Sequence, residues 1–196
     1  EYAHSLGLRF GLWVEPERTN LSLVGAPGVA ESWLATEGDQ LGSDHSGQIC
    51  LANAAARQWL MDRLTALVDE VRPDYLKWDN NMFVNCDRDG HGHGRTDGNF
   101  AHTSVLYDML AQLRAQYPDL LIENVSGGGN RLDVGMLRFT DVAWMDDRTA
   151  PSVHVRHNLQ GLGTVFPPAY LLSFVTDHDT EPLHESPDLA LYFRSR

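Results

Sequence analysis

Tyr75-Leu76-Lys77-Trp78 is a short, mostly apolar run set between two amphipathic stretches, and this order constrains the fold more than any other feature of the chain. Upstream, Leu60, Leu64, Leu67, Val68 and Val71 recur at helical spacing, which predicts a helix beginning near Asn53 with one apolar stripe turned toward a sheet. Downstream, Val105, Leu106, Met109, Leu110 and Leu113 predict a second helix from about Asn99 to Gln116, with Pro118 marking its exit. A strand separated from its neighbours by helices of this length is reached by crossovers rather than hairpins. The expected sheet is therefore parallel.

Other short runs repeat the pattern. Leu8 to Val14 leads into Glu15-Pro16-Glu17, where Pro16 biases Glu15 to an extended backbone and ends the ladder. Gln48-Ile49-Cys50-Leu51 precedes the first helix, Leu120-Leu121-Ile122 runs into Glu123-Asn124, and Phe139 to Trp144 runs into Met145-Asp146-Asp147. Gly163-Thr164-Val165-Phe166 meets Pro167-Pro168. The class is α/β, and the pattern alone serves a closed barrel or an open sheet; no Gly-x-Gly-x-x-Gly follows a first strand to favour a dinucleotide fold. With 196 residues the chain is shorter than the roughly 250 of a complete (β/α)8 barrel. Its opening, Glu1-Tyr2-Ala3-His4-Ser5-Leu6-Gly7, reads as a helix end closed by glycine, so an internal fragment is expected.

Acidic residues outnumber basic ones 27 to 15, giving a net charge of -12. A basic footprint for nucleic acid or an anionic membrane is absent, so neither partner is expected. No apolar run approaches the roughly 20 residues needed to span a bilayer. Cys50 and Cys86 supply no disulfide framework and no Cys-x-x-Cys pair, so two free thiols in a reducing, cytoplasmic setting are expected. The loop from Cys86 to Gly98 carries Asp87, Asp89, His91 and His93, yet Gly90, Gly92 and Gly94 make a preformed ligand set costly to order. A mobile rim loop holding no metal is the expectation, and no cofactor is expected.

Side chains at the C-terminal ends of parallel barrel strands face one mouth, so the polar ends Glu15 and Glu17, Lys77 with Asp79 and Asn81, Glu123 with Asn124, and Asp146 with Asp147 are candidates for chemistry. Taken alone, Asp79 also suits a helix cap. Acids and amides beside Trp13, Trp78 and Trp144 suit a sugar, whose rings stack on flat apolar faces. Glycoside cleavage needs one ionised carboxylate and one proton donor. Lys77, two residues before Asp79, projects to the same side of the strand and favours an ionised Asp79; Asp146 beside Asp147 raises the cost of ionising the latter. Ser126-Gly127-Gly128-Gly129-Asn130-Arg131 lacks the ending of a P-loop, and its glycines let a bulky ring approach the backbone. No Gly-x-Ser-x-Gly elbow supports a serine hydrolase.

Four motifs in order carry a resemblance: Gly11-Leu12-Trp13-Val14-Glu15-Pro16-Glu17; Tyr75-Leu76-Lys77-Trp78-Asp79-Asn80-Asn81; Ser126-Gly127-Gly128-Gly129-Asn130-Arg131-Leu132-Asp133 with Gly135-Met136-Leu137; and Trp144-Met145-Asp146-Asp147-Arg148-Thr149. The chain resembles the catalytic barrel of the glycoside hydrolase family 36 α-galactosidases over nearly its whole length. It departs from the family pattern at Val125, where a Cys is usual, and at Ala150. The resemblance implies a partial (β/α)8 TIM barrel of about strands 3 to 7 in a single catalytic domain, with β-sandwich and C-terminal β domains outside residues 1–196. It implies a retaining hydrolase of terminal α-galactosides with Asp79 as nucleophile and Asp147 as acid/base, and sugar contacts at Trp13, Lys77, Asn81, Ser126, Gly127, Gly128 and Asp146. A galactosyl transferase of the raffinose- or stachyose-synthase kind shares these carboxylates, as would a related α-glycosidase of altered sugar specificity; a non-catalytic sugar-binding barrel is a further alternative, and the complete protein could form homo-oligomers.

Overall fold

The computed structural model describes residues 2–20, 22, 24, 28–41, 46–149 and 152–173, which leaves Ala150 outside the described residues. The chain divides into two units, Glu1–Leu121 and Ile122–Arg196.

In the first unit a short helix α1 (Tyr2–Ser5) precedes strand β1 (Gly11–Val14). β1 pairs in parallel with β4 (Tyr75–Trp78), with Trp13 opposite Lys77 and Val14 opposite Trp78. Asp74 locks the entry to this pair: its backbone N–H donates to the Phe10 carbonyl at 2.7 Å, and its Oδ2 accepts from the Phe10 N–H at 2.7 Å. β4 alternates cleanly, with Leu76 and Trp78 fully buried and Tyr75 and Lys77 on the more open face.

Two long helices carry the apolar stripes of this unit. Asn53 caps α2 (Ala54–Val71) by accepting from the N–H groups of Ala55 and Ala56, and Arg72 ends it in a left-handed conformation just before Pro73. The buried stripe of α2 is Ala56, Leu60, Met61, Leu64 and Val68, rotated slightly from the expected one so that Leu67 and Val71 are half-buried. Helix α3 (Gly98–Gln116) buries Leu106, Met109, Leu110 and Leu113 as expected, and extends that stripe toward its N-terminus through His102.

Gln48-Ile49-Cys50-Leu51 departs from expectation. Its first residue belongs to β3 (Ser46–Gln48), which pairs antiparallel with β2 (Arg18–Asn20) in a separate two-stranded ribbon. Ile49 continues into an antiparallel bridge with Leu34. The run is buried because it lies under the 3-10 turn Glu31–Trp33 and its flanks, with Cys50 N–H donating to the Trp33 carbonyl, rather than because it sits in the parallel sheet.

The second unit begins inside β5 (Leu121–Asn124), which runs parallel and in register with β6 (Val142–Trp144), as β6 does with β7 (Leu171–Leu172): Asn124 lies beside Ala143 and Trp144 beside Leu172. Between β5 and β6 lie a single helical turn α4 (Ser126–Gly129) and α5 (Val134–Phe139), the latter capped by Asp133 accepting from Met136 N–H. Phe139 thus closes a helix instead of opening a strand. Helix α6 (Ser152–Leu162) follows β6. Gly163 to Phe166 was expected to be a strand; those residues instead turn out of α6, and the strand forms five residues later at β7. Phe166 is buried against Tyr170, Val155, Met145 and Ala143, so its apolar character serves the core rather than a ladder.

Candidate active site

Asp79 follows β4 directly, and its N–H donates to the Val14 carbonyl at 2.8 Å, so it sits where the parallel ladder ends. Its carboxylate is buried, at 6% exposure. Oδ2 accepts from the indole N–H of Trp13 at 3.2 Å and from the Asn81 side-chain amide at 3.2 Å. Asn81 is itself fixed by Glu15, whose Oε1 accepts from both the backbone and the side-chain nitrogen of Asn81 at 2.9 Å. Trp13 is 54% exposed although its N–H is engaged, and Lys77 lies opposite it in register. The result is an oriented acid beside an open aromatic face and a cation. Asp79 caps no helix, because the residues after it form a loop.

Glu17 does something different from its neighbour. It is fully buried; Oε1 accepts from the Trp78 indole at 2.9 Å, and Oε2 accepts from Asn80 at 3.3 Å and from His102 Nε2 at 2.6 Å. His102 Nδ1 accepts from Leu51 N–H at 3.1 Å, which leaves the ring proton on Nε2, facing the carboxylate. Glu17, grouped by sequence with the open polar ends, is therefore a buried strut beneath Trp78 and Asn80. His102 was missed because a lone histidine on an apolar helix face gives no local signal.

In the second unit Asp147 is exposed and its Oδ1 accepts from the Trp144 indole at 2.8 Å. The glycine run packs against it. Gly128 has φ of 79°, and a Cβ there would meet Asp147 Cγ and N at 2.9 Å; one on Gly129 would run into the Met145 carbonyl. Only glycine permits this approach. Gly127, with φ of 56°, completes the turn, and Asn130 donates to its carbonyl at 3.1 Å. Ser126 is buried and donates its hydroxyl to Asn124 Oδ1 at 3.2 Å, so its polar atom faces inward, away from the role expected of it.

Asp146 also turns inward. Its oxygens accept from Arg148 N–H at 2.8 Å, His154 Nε2 at 2.9 Å and Asn158 Nδ2 at 2.9 Å, tying the end of β6 to α6. Burial works against its charge, but these donors together with the Arg148 guanidinium outweigh it and hold the carboxyl well below the usual range. Asp146 and Asp147 thus face different partners, although sequence alone suggested a directly interacting like-charge pair.

The two cysteines are free thiols, as expected, whereas the loop from Cys86 to Gly98 has long-range partners that its composition did not indicate. Cys50, Cys86, His91 and His93 bring one donor atom each to within 4.8 Å of one another. The loop is tied down by Arg88 donating to the Glu31 and Leu34 carbonyls and by Asp87 accepting from Thr36 and Gly38. These partners are distant in sequence, which is why the local composition read as mobile.

The melibiase family model matches residues 1–190. Alpha-galactosidase 2 of Pediococcus pentosaceus is 35% identical over 182 residues, covering 90% of this chain and 25% of that protein. Alpha-galactosidase Mel36A of Lactobacillus acidophilus is 28% identical over 179 residues, covering 90% and 24% respectively. The chain thus spans about a quarter of the length of the curated relatives it matches. A variant of the GH36 alpha-galactosidase AgaA from Geobacillus stearothermophilus, solved in complex with 1-deoxygalactonojirimycin, superposes with a TM-score of 0.79 at 22% identity, covering 98% of this chain and 27% of that one. The α/β fold with parallel strands is shared with that structure, and on the extent of the match the chain belongs to the melibiase family of GH36-type alpha-galactosidases.

Proposed function

We propose that the complete protein hydrolyses terminal α-galactosides with retention of configuration, and that residues 1–196 are the central part, about strands 3 to 7, of its (β/α)8 barrel. The observation that carries this reading is the setting of Asp79: a buried carboxylate at the end of a parallel strand, one oxygen held by Trp13 and Asn81, beside the exposed face of that tryptophan. Two donors on one oxygen fix the carboxylate plane, the orientation a nucleophile needs toward an anomeric carbon.

In this reading Asp79 attacks the anomeric carbon while Asp147 gives a proton to the departing glycosidic oxygen. A covalent glycosyl-enzyme forms, and Asp147 then takes a proton from the water that releases the sugar. Trp13 offers the sugar an apolar face, Lys77 and Asn81 bind hydroxyls, and Gly127 and Gly128 let the ring approach the backbone. Ser126 and Asp146 act at one remove, since Asn124 takes the hydroxyl of the first and Arg148, His154 and Asn158 take the carboxylate of the second.

The test is Asp79→Ala in the full-length protein with an aryl α-galactoside. Turnover should be lost and partly restored by azide, which fills the vacated position and yields a glycosyl azide. Near-normal turnover without azide would refute the assignment. Product analysis with raffinose-type sugars separates hydrolysis from transfer to a second sugar.

A further inference from the structure

Four side chains of the first unit converge outside the proposed catalytic residues: Cys50 after β3, Cys86 in the loop that follows Asp79-Asn80-Asn81, and His91 and His93 further along that loop. We propose that Cys50, Cys86, His91 and His93 bind one structural zinc ion in a closed, tetrahedral site.

Distance is the first support. Bonds of about 2.3 Å from zinc to sulfur and about 2.0 Å to nitrogen, at tetrahedral angles, set sulfur and nitrogen about 3.5 Å apart. Cys50 Sγ lies 3.5 Å from His93 Nε2, and Cys86 Sγ lies 3.4 Å from His91 Nδ1. The two imidazole planes stand at 88° to each other, which lets the rings reach two different corners of a tetrahedron without clashing.

Ring orientation is the second. His91 Nε2 is 2.8 Å from the Ser32 carbonyl and His93 Nδ1 is 2.7 Å from the Gly94 carbonyl. A carbonyl only accepts, so each of these nitrogens carries the proton. The other nitrogen of each ring, Nδ1 of His91 and Nε2 of His93, is left with its lone pair aimed at the sulfurs. A backbone carbonyl on the outer nitrogen is how proteins fix a metal-ligating imidazole.

Backbone shape is the third. Gly92, between the two histidines, has φ of 81°, and a Cβ there would press on the Ala52 carbonyl at 3.2 Å. Gly98, at the start of α3, has no room for a Cβ against the Cys86 carbonyl. The glycines that suggested mobility let the loop wrap closely enough to bring four donors together. Cys50, Cys86 and His91 are buried, His93 is half-buried, and Ala35, Val84 and Ala52 pack around the sulfurs, giving a largely enclosed set of mixed thiolate and imidazole donors. That donor set suits zinc over calcium or magnesium, which take oxygen.

Four protein ligands leave no position for substrate, so the ion would be a staple rather than a catalyst. It would hold the loop after Asn81 to the segment after β3 and offset the entropy of ordering a glycine-rich stretch.

The test uses the full-length protein grown with zinc and purified without chelator. Elemental mass spectrometry should find about one zinc per chain, and Cys86→Ser and His93→Ala should lose it. Should a variant fail to fold, the wild type decides alone. Removal of zinc by a strong chelator should lower Tm and expose two thiols to Ellman's reagent, and adding cobalt(II) alone should produce the visible bands of a tetrahedral thiolate complex. No metal bound at zinc saturation, or a mass showing a Cys50-Cys86 disulfide, would overturn the proposal.

Discussion

The indole N–H of Trp13 reaches Asp79 Oδ2 across 3.2 Å, joining side chains 66 positions apart on two paired strands. One residue thereby offers a face to solvent and a proton to the carboxylate. Trp13→Phe keeps most of the face and removes the donor. Hydrogen bonds to charged groups are worth about 1.5–3 kcal/mol, and partial exposure here favours the low end, so kcat on an aryl α-galactoside should fall about tenfold with KM little changed. Trp13→Ala should raise KM as well. An unchanged kcat in Trp13→Phe would show that this bond does not orient Asp79.

Glu17→Gln tests the buried strut. An amide cannot accept at both ends, so one of the donors from Trp78, Asn80 or His102 would face an N–H group in a fully buried place. The expected loss is about 2–4 kcal/mol, seen as a lower Tm and soluble yield, with activity per folded molecule reduced less. A variant with wild-type Tm would contradict the role.

How far these arrangements were readable in the sequence depended on the distance over which each residue finds its partner. Leu76, Trp78, Leu106 and Leu110 announce their burial through local period, and Asn53 and Asp133 cap helices by contacts two or three residues away. The antiparallel pairing of Gln48 with Arg18 leaves no such mark, because a buried apolar run looks alike in either sheet. Phe166 misled in the same way, being apolar for a core contact with Tyr170 rather than for a strand. Asp79, Asp147 and Trp13 stood out as polar or aromatic strand ends. Glu17 looked equivalent until His102, 85 positions away, came into contact with it. The Cys/His cluster was hidden for the same reason, since Ser32 and Cys50 reach the loop from far upstream.

Asp146 gives a pH dependence with a definite sign. Its folded-state carboxyl is held below the unfolded value of about 3.9, so its contribution to stability is present above that value and is lost as pH falls through the folded one. The Tm advantage of wild type over Asp146→Asn should be constant from about pH 8 to 5 and shrink below about pH 4. The exposed guanidinium of Arg148 should matter least among the donors, so Arg148→Ala should retain most of that advantage. An advantage that instead grows on acidification would reverse the assignment.

Two glycines of the second unit make an internal control. Gly128 has φ of 79°, and a Cβ on it would lie 2.9 Å from both Cγ and N of Asp147. Gly128→Ala should therefore cost about 1–2 kcal/mol in backbone strain and also push Asp147 off its bond to Trp144. Gly161 lies in α6, and a Cβ there meets nothing within 4 Å. Gly161→Ala should leave activity unchanged and stabilise the helix by about 0.5–1 kcal/mol. If Asp147 is the acid/base, the loss in Gly128→Ala should be greater for substrates whose leaving group needs a proton than for those with an activated phenolate. Equal losses on both substrate types would mean that the glycine serves the fold alone, and a harmless Gly128→Ala would mean that the backbone gives way more easily than this packing allows.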